Sequence, residues 1–221
     1  MSDVRERYAK LFRRGEGTDR MQFFSDAVFA IALTLLVLDI RLPETADADL
    51  LPALLGLWPQ YFAFGLSFVI IAVNWISHHA KYRVIVRFDA GLLRWNFLLL
   101  FLVAIVPFPT SVLSEYGPQT AAVVLYAATV ASLSIVQLLT WAYAVRAGLV
   151  TTDVDAAMFR YVVLNILPSP VVFLISIPIA FVAPDIAMYV WFAIVPASFL
   201  FGWLARRPSR RNPGTASAAA R

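Results

Sequence analysis

The chain has 221 residues, of which 61% are hydrophobic and 14% charged, and it carries a net charge of +4 and no cysteine. A soluble domain is about half apolar and about a quarter charged, so the excess apolar surface must face lipid. We therefore predict an integral membrane protein with one compact domain. The lack of cysteine excludes disulfides and thiolate metal sites.

The first segment, residues 1–19, is predicted to be a basic cytoplasmic leader. Its basic residues are Arg5, Arg7, Lys10, Arg13 and Arg14. A polar, basic start of this kind is not typical of a secretory signal. A solvated segment and a short amphipathic helix on the membrane surface both fit the pattern. Asp19 suits the N-cap of the helix that follows.

Six apolar runs follow the leader. As helices rising about 1.5 Å per residue, they are long enough to cross a hydrocarbon core of about 30 Å. The predicted membrane domain covers residues 20–205, with spans at 20–40, 54–78, 91–114, 120–145, 161–182 and 186–205. Pro59 is expected to kink or start the second span. Residues 206–221 are predicted to be a basic, disordered cytoplasmic tail.

Lysine and arginine are distributed unevenly among the loops. The leader, the tail and the loops after spans two and four are basic, and we place Lys81, Arg83 and Arg87 in the first of these loops. Residues 44–49, 115–118 and 183–185 contain neither Lys nor Arg. By the positive-inside rule, both termini of this multi-pass protein are predicted to lie in the cytoplasm. The net charge therefore indicates topology and not a nucleic-acid partner.

The first span keeps one acid, Asp26, in an otherwise apolar run. A charge inside a bilayer costs several kcal/mol unless it is paired or hydrated. On a helical wheel, one stripe within about 40° contains Arg20, Phe24, Ala27, Ile31, Leu35 and Leu38, with Thr34 at its edge. Ser25 and Asp26 point away from it. The stripe either faces lipid or meets its own copies around an axis, where Ile and Leu rings would form an apolar constriction that gates by dewetting.

The pattern Arg20-x-x-x-Phe24-Ser25-Asp26, followed by AVFAIALTLLVLDI, resembles the signature of the transmembrane protein 175 family, the potassium channels of bacteria, archaea and animal lysosomes. The resemblance covers about residues 20–109. It extends to Trp75…His78-His79 in span two and to Asn96…Pro107-Phe108 in span three. Spans four to six match only in being hydrophobic and kinked.

The resemblance implies an all-helical homotetramer in the bacterial inner membrane, with the first span of each chain lining a central pore. It implies that Ile31 forms the narrowest layer, that Leu35 and Leu38 form further apolar layers, and that a threonine layer tied to potassium preference falls at Thr34. The implied partners are potassium ions, membrane lipid and copies of the chain. Weak ligation at Thr34 predicts modest selectivity for potassium over sodium.

Several polar residues are expected near the cytoplasmic ends of spans one to three. They are Arg20, Ser25, Asp26, Asn74, Trp75, His78, His79, Arg94 and Asn96. We expect Ser25, Asp26, Trp75, Asn96 and a histidine to form a hydrogen-bonded set that sets the rotation of span one. Alternatively, His78 and His79 form an interfacial pair, or sense pH. A metal site is disfavoured because adjacent side chains diverge on a helix.

Other functions remain as alternatives. One is a proton leak or proton-coupled transporter that uses Asp26, His78 or His79. A non-transporting membrane assembly protein is a remote second alternative. An intramembrane metalloenzyme would need three or four metal ligands, and the chain has two histidines and no cysteine. We therefore expect no enzymatic activity and no cofactor.

Overall fold

The structure, a computed structural model, describes residues 18–42 and 50–206. Among these residues, six helical segments are long and apolar enough to cross a membrane, which confirms the predicted all-helical fold with six spans. The spans are Asp19–Asp39, Trp58–Tyr82, Ala90–Tyr116, Thr120–Arg146, Ala156–Ala180 and Pro184–Ala205. Apart from residues 18, 19 and 206, the predicted leader and tail lie outside the described residues.

Four of the spans are interrupted. Span one is an α-helix, Thr18–Leu35, followed by a 3-10 turn at Leu36–Asp39. Spans three and five are each made of two helices, Ala90–Ile105 and Pro107–Tyr116 in span three and Ala156–Ile166 and Pro168–Ala180 in span five. Span six consists of Pro184–Val190, a 3-10 turn at Trp191–Ala193, and Ile194–Arg206. In spans three and five, a proline opens the second helix. Proline suits this position because the first N–H of a helix has no intrahelical partner.

Span two begins and ends about one helical turn later than predicted. Residues 50–56 form a separate short helix, and Trp58–Tyr82 starts with a proline in its first turn. The helix continues through Lys81, which we had placed in the following loop. Lys81 and Tyr82 are 4% and 3% exposed, so both belong to the packed bundle.

Spans three and five each begin at an aspartate that was not predicted to cap a helix. The Asp89 carboxylate accepts a hydrogen bond from the Leu92 N–H at 2.7 Å and caps span three. Asp155 caps span five by accepting from Met158 N–H at 2.8 Å, so this span begins at Ala156 and not at 161. Each cap satisfies a backbone donor that the helix leaves open. The prediction for Asp19 is wrong, since Asp19 lies inside the first helical turn.

Span one packs along spans two and three. Its Phe29, Ala32 and Leu36 join Ile71 and Leu99 in a buried apolar cluster. A second cluster joins spans two to six and contains Tyr126, Phe173 and Trp191. Lipid tails are as apolar as these side chains, so van der Waals packing and interhelical hydrogen bonds hold the spans together.

The two ends of the bundle differ in charge. One end holds the start of span one and carries exposed arginines at Arg83, Arg87, Arg94, Arg146 and Arg160; we call it the basic end. There the two loops pair through a bridge between Ile85 and Val150. At the opposite, acidic end, the charged residues that the structure describes are Asp39, Arg41, Glu115 and Asp185.

Candidate functional site

One face of span one lies outside the helical bundle of its own chain. Phe24, Ile31, Leu35 and Leu38 are 52%, 58%, 42% and 64% exposed. Ala27 and Thr34, which complete the stripe, are exposed as well. The stripe is therefore exposed over most of the length of the span. A lipid-facing surface and a surface that meets other copies both have this appearance in a single chain.

The opposite face of span one is buried. Ser25, Phe29, Ala32 and Leu36 are each 0–1% exposed, and they recur every three or four residues along the helix. This spacing places them on one side, because a helix turns about 100° per residue. The rotation of span one agrees with the helical wheel, with Ser25 turned into the bundle and the apolar stripe turned out.

The Thr34 hydroxyl lies on the exposed stripe, one turn after Ile31. It donates a hydrogen bond of 2.8 Å to the backbone carbonyl of Ile31. A hydroxyl has one donor and two acceptor lone pairs. Because its proton is directed into its own helix, the oxygen keeps lone pairs on the exposed side.

Asp26 is half-buried and has a partner on span two. The indole N–H of Trp75 donates to Asp26 Oδ1 at 2.8 Å. The Trp75 ring also lies against the ring of His79, with centroids 5.4 Å apart. A hydrogen bond to a carboxylate is roughly twice as strong as one between neutral groups. This contact links spans one and two at the depth of the motif acid.

Asn96 of span three lies at the centre of a second set of hydrogen bonds. Its Oδ1 accepts from the Tyr82 hydroxyl at 3.0 Å and lies 3.0 Å from His78 Nε2. Its Nδ2 donates to Ser25 Oγ at 3.1 Å, and the Ser25 hydroxyl donates to the Met21 carbonyl at 2.8 Å. All the side chains in this set are buried. The set joins spans one, two and three.

The contact with Asn96 assigns a tautomer to His78. Asn96 Oδ1 accepts hydrogen bonds, so a neutral ring that bonds to it carries its proton on Nε2. His78 Nδ1 is then a buried acceptor, and it has no hydrogen-bond partner. The ring packs on Tyr82 at 4.2 Å between centroids. His78 is thus an interior residue of the helical bundle.

His79 points to a different partner from its neighbour. Its Nδ1 lies 2.8 Å from Nε2 of Gln22 on span one, and the side chain is half-buried. Gln22 was not predicted, and neither was Tyr82. Helical spacing is the signal for both, since Gln22 precedes Asp26 by four residues and Tyr82 follows His78 by four.

Arg20 stands apart from both hydrogen-bonded sets. It is exposed and borders a cavity of about 310 Å³ whose lining includes Phe24 and Phe97. The two phenylalanine rings meet edge to face at 6.0 Å. Thus the structure brings most of the predicted polar residues together and leaves Arg20, Phe24 and Arg94 at the surface.

Lys81 and Gln137 form a buried contact between spans two and four. Lys81 Nζ donates to the side-chain oxygen of Gln137, and Gln137 Nε2 donates to the Asn74 carbonyl at 2.9 Å. A buried side-chain nitrogen needs such acceptors, because it loses its water. Within residues 18–42 and 50–206, no three His, Cys, Asp or Glu side chains are grouped so as to hold a metal ion.

Comparison with known proteins gives consistent matches. The family model described as endosomal/lysosomal potassium channel TMEM175 matches residues 20–107. A protein named potassium channel from Chamaesiphon minutus is 36% identical over 80% of this chain and 91% of its own length. A second, from Streptomyces collinus, is 33% identical over 76% of this chain and 85% of its own length.

A solved structure gives the same result for the fold. The crystal structure of a lysosomal potassium-selective channel TMEM175 homologue from Chamaesiphon minutus matches with a TM-score of 0.68 and 34% identity. The match covers 86% of this chain and 98% of that chain. The likeness therefore extends well beyond the first three spans.

Proposed function

Because this chain belongs to the TMEM175 family of potassium channels, we propose that it assembles as a homotetramer in the cell membrane and conducts potassium along an axis lined by span one. The observation that carries the proposal is the exposed stripe of span one opposite a buried, hydrogen-bonded face. Since a lipid-facing stripe has the same appearance in a single chain, the choice of a stripe that meets its own copies rests on the family match.

In the proposed assembly, the copies of Ile31 form the narrowest ring. Isoleucine has no polar atom beyond its backbone, so an ion cannot exchange its water for ligands there. A hydrated potassium ion must shed part of its water or push the ring open, and a closed ring empties of water. Leu35 and Leu38 extend the apolar segment towards the acidic end.

Thr34 supplies the weak ligand in this proposal. Its hydroxyl proton is bonded to the Ile31 carbonyl, which leaves oxygen lone pairs on the exposed side. Hydroxyl oxygens of this kind compensate only part of the hydration that an ion loses. The ion that loses its water more readily, potassium, is favoured over sodium by a modest factor.

The polar residues at the basic end have a supporting role. Hydrogen bonds that Trp75 donates to Asp26 and Asn96 donates to Ser25 hold span one against spans two and three. They keep Ile31 and Thr34 turned towards the axis. In this proposal they do not contact the permeating ion.

Two experiments test the proposal. Reconstitution of the full chain into proteoliposomes should give potassium flux that exceeds sodium flux, and no flux of either ion would contradict the channel function. For the axis, the cysteine-free chain allows single-cysteine variants. Ile31→Cys should form intersubunit disulfides under mild oxidation, because the copies meet there.

The control for cross-linking is Phe199→Cys on span six, where the native side chain is 78% exposed. We expect no disulfide at this position. Equal cross-linking at both positions, or none at Ile31, would mean that the stripe of span one faces lipid.

A further inference from the structure

At the acidic end, a cavity of about 440 Å³ opens between the ends of spans two, three and six. Its apolar walls include Trp58, Phe62, Leu113, Met188, Tyr189 and Phe192. None of these residues takes part in the hydrogen-bonded sets around span one. Ligand sites in proteins are commonly concave, apolar and aromatic, with a few polar groups that orient the ligand.

Four of the lining residues are aromatic. The rings of Phe62 and Phe192 lie 6.1 Å apart between centroids. Trp58 and Tyr189 are 69% and 71% exposed, so much of their surface is open to a ligand. The faces of aromatic rings attract cations, tryptophan most strongly. Aromatic residues at the end of membrane spans also lie at the level of the lipid headgroups.

Among residues 18–42 and 50–206, the one charged residue that lines the cavity is Asp185, at the start of the helix Pro184–Val190. Lysine and arginine are absent from the lining within the same part of the chain. An anion would meet the carboxylate, and an uncharged apolar molecule would leave it without compensation. A small metal ion would find one carboxylate and no further charged ligand. The lining instead matches a cation with an apolar body.

We propose that this cavity binds an ammonium group carried on an apolar chain. The Asp185 carboxylate and the aromatic rings attract the ammonium group, and Leu113 and Met188 contact the chain. A lipid headgroup such as phosphatidylethanolamine and a soluble amphiphilic amine share this chemistry. The site lies at the opposite end of the bundle from the polar residues around span one, so it does not depend on the proposed pore.

The binding test uses the full chain, purified in an uncharged maltoside detergent, and hexyltrimethylammonium as the probe. Isothermal titration calorimetry should detect saturable binding. Hexanesulfonate, which has the same chain and the opposite charge, should not bind. Equal binding of both compounds would overturn the proposal, because charge would then play no part.

Variants locate the site. Asp185→Asn should weaken binding of the probe roughly fivefold to tenfold, since it removes one nearby opposite charge in a partly solvated position. Glu115→Gln, an exposed acid at the same end that does not line the cavity, should leave binding unchanged.

Tyr189→Leu should weaken binding about threefold to tenfold through the lost ring face. Tyr161→Leu at the basic end is its control.

Normal binding in both Asp185→Asn and Tyr189→Leu would overturn the proposal.

Vesicles of digalactosyldiacylglycerol, with and without phosphatidylethanolamine, distinguish the two sources of the ligand. Weaker apparent binding of the probe in the presence of phosphatidylethanolamine supports the site with the lipid headgroup as its occupant. Unchanged binding, still sensitive to Asp185→Asn, supports the site with a soluble amine as its ligand.

Discussion

Asn96 illustrates how one side chain orders three spans. Its amide oxygen takes two hydrogen bonds, from His78 and Tyr82, and its amide nitrogen donates to Ser25. Each of these partners is buried, so removal of the amide would leave several polar groups unsatisfied. Each such group costs about 1–3 kcal/mol. A hydrophobic replacement at this position should therefore destabilise the fold more than most core substitutions do.

Ile31 is the residue on which the proposed constriction depends. We predict that Ile31→Asn raises potassium conductance and lowers the preference for potassium over sodium, because a polar ring stays hydrated. A barrier lower by about 1 kcal/mol would raise flux about fivefold. Single-channel recording in planar bilayers measures both quantities.

Ile76 on span two is the matched control for this substitution. Its side chain is 59% exposed, against 58% for Ile31, but it lies on a different span. Ile76→Asn should leave the conductance of each channel unchanged. Currents from Ile31→Asn that equal those of the wild type would exclude Ile31 as the constriction.

Thr34 allows the weak-ligand proposal to be tested separately. Thr34→Val keeps the shape of the side chain and removes the oxygen, so the permeability ratio of potassium to sodium should fall. Since a lost weak ligand costs about 1 kcal/mol, the decrease should be no more than about fivefold. Reversal potentials under bi-ionic conditions give the ratio, and Thr34→Ser should retain it. A ratio unaffected by Thr34→Val would remove the hydroxyl from the selectivity proposal.

At the scale of the helix, span one packs against its neighbours along its length, but its side-chain hydrogen bonds to other spans lie at one end. Its contacts from Gln22 to His79, from Ser25 to Asn96 and from Asp26 to Trp75 lie within the first turns at the basic end. A helix turns as a rigid body over this distance, so contacts there set the direction of Ile31 and Thr34 further along. The 3-10 turn that begins at Leu36 follows these residues and does not alter their direction.

A substitution at Asp26 tests whether these contacts set the rotation of span one. Asp26→Ala leaves the Trp75 indole without its acceptor, at a cost of about 1–3 kcal/mol, and frees the rotation of span one. We predict a low yield of tetramer on size-exclusion chromatography in detergent. Asp26→Asn, which keeps an acceptor oxygen, should recover most of it. Normal assembly of Asp26→Ala would show that Asp26 has a role other than holding span one for assembly.

A substitution at Asp89 tests whether its cap stabilises the start of span three. Its carboxylate caps the helix at Leu92 N–H and also accepts the Tyr143 hydroxyl at 2.8 Å. Asp89→Ala should cost about 1 kcal/mol for the cap and lower the melting temperature by about 2–4 °C. Asp153→Ala, an exposed loop acid at the same end, is the control in the thermal unfolding assay. Equal shifts for the two variants would contradict the capping role.

At the scale of the whole molecule, charge separates the two ends. The basic end carries Arg83 and Arg87 in the loop after span two, and Arg146 and Arg160 in the helices on either side of the next loop at this end. The acidic end carries Arg41 as its one basic residue among residues 18–42 and 50–206. We predict that the basic end and both termini face the cytoplasm. Green fluorescent protein fused after residue 221 should fluoresce, and alkaline phosphatase inserted in the loop 44–49 should be active. The opposite pattern of reporter activity would reverse the proposed orientation.

The features that could be predicted from the sequence depend on properties that act locally. Long apolar runs predicted six spans, and the spacing of Ile31, Leu35 and Leu38 predicted one stripe, because hydrophobicity and helical period do not depend on neighbours. Boundaries were less accurate: Lys81 is polar but lies inside span two, because Gln137 and the packed bundle satisfy it.

The tertiary structure alone decided which polar groups meet. The sequence predicted a set that contains Asp26, Ser25, Trp75, Asn96 and a histidine, and the structure divides it in two, with Asp26 on Trp75 and Ser25 on Asn96. It also assigns His78 to Asn96 and His79 to Gln22. The partner of a buried side chain depends on the depth and rotation of the neighbouring helix. Span three is apolar on nearly every side, so no pattern in its sequence reveals which way it turns.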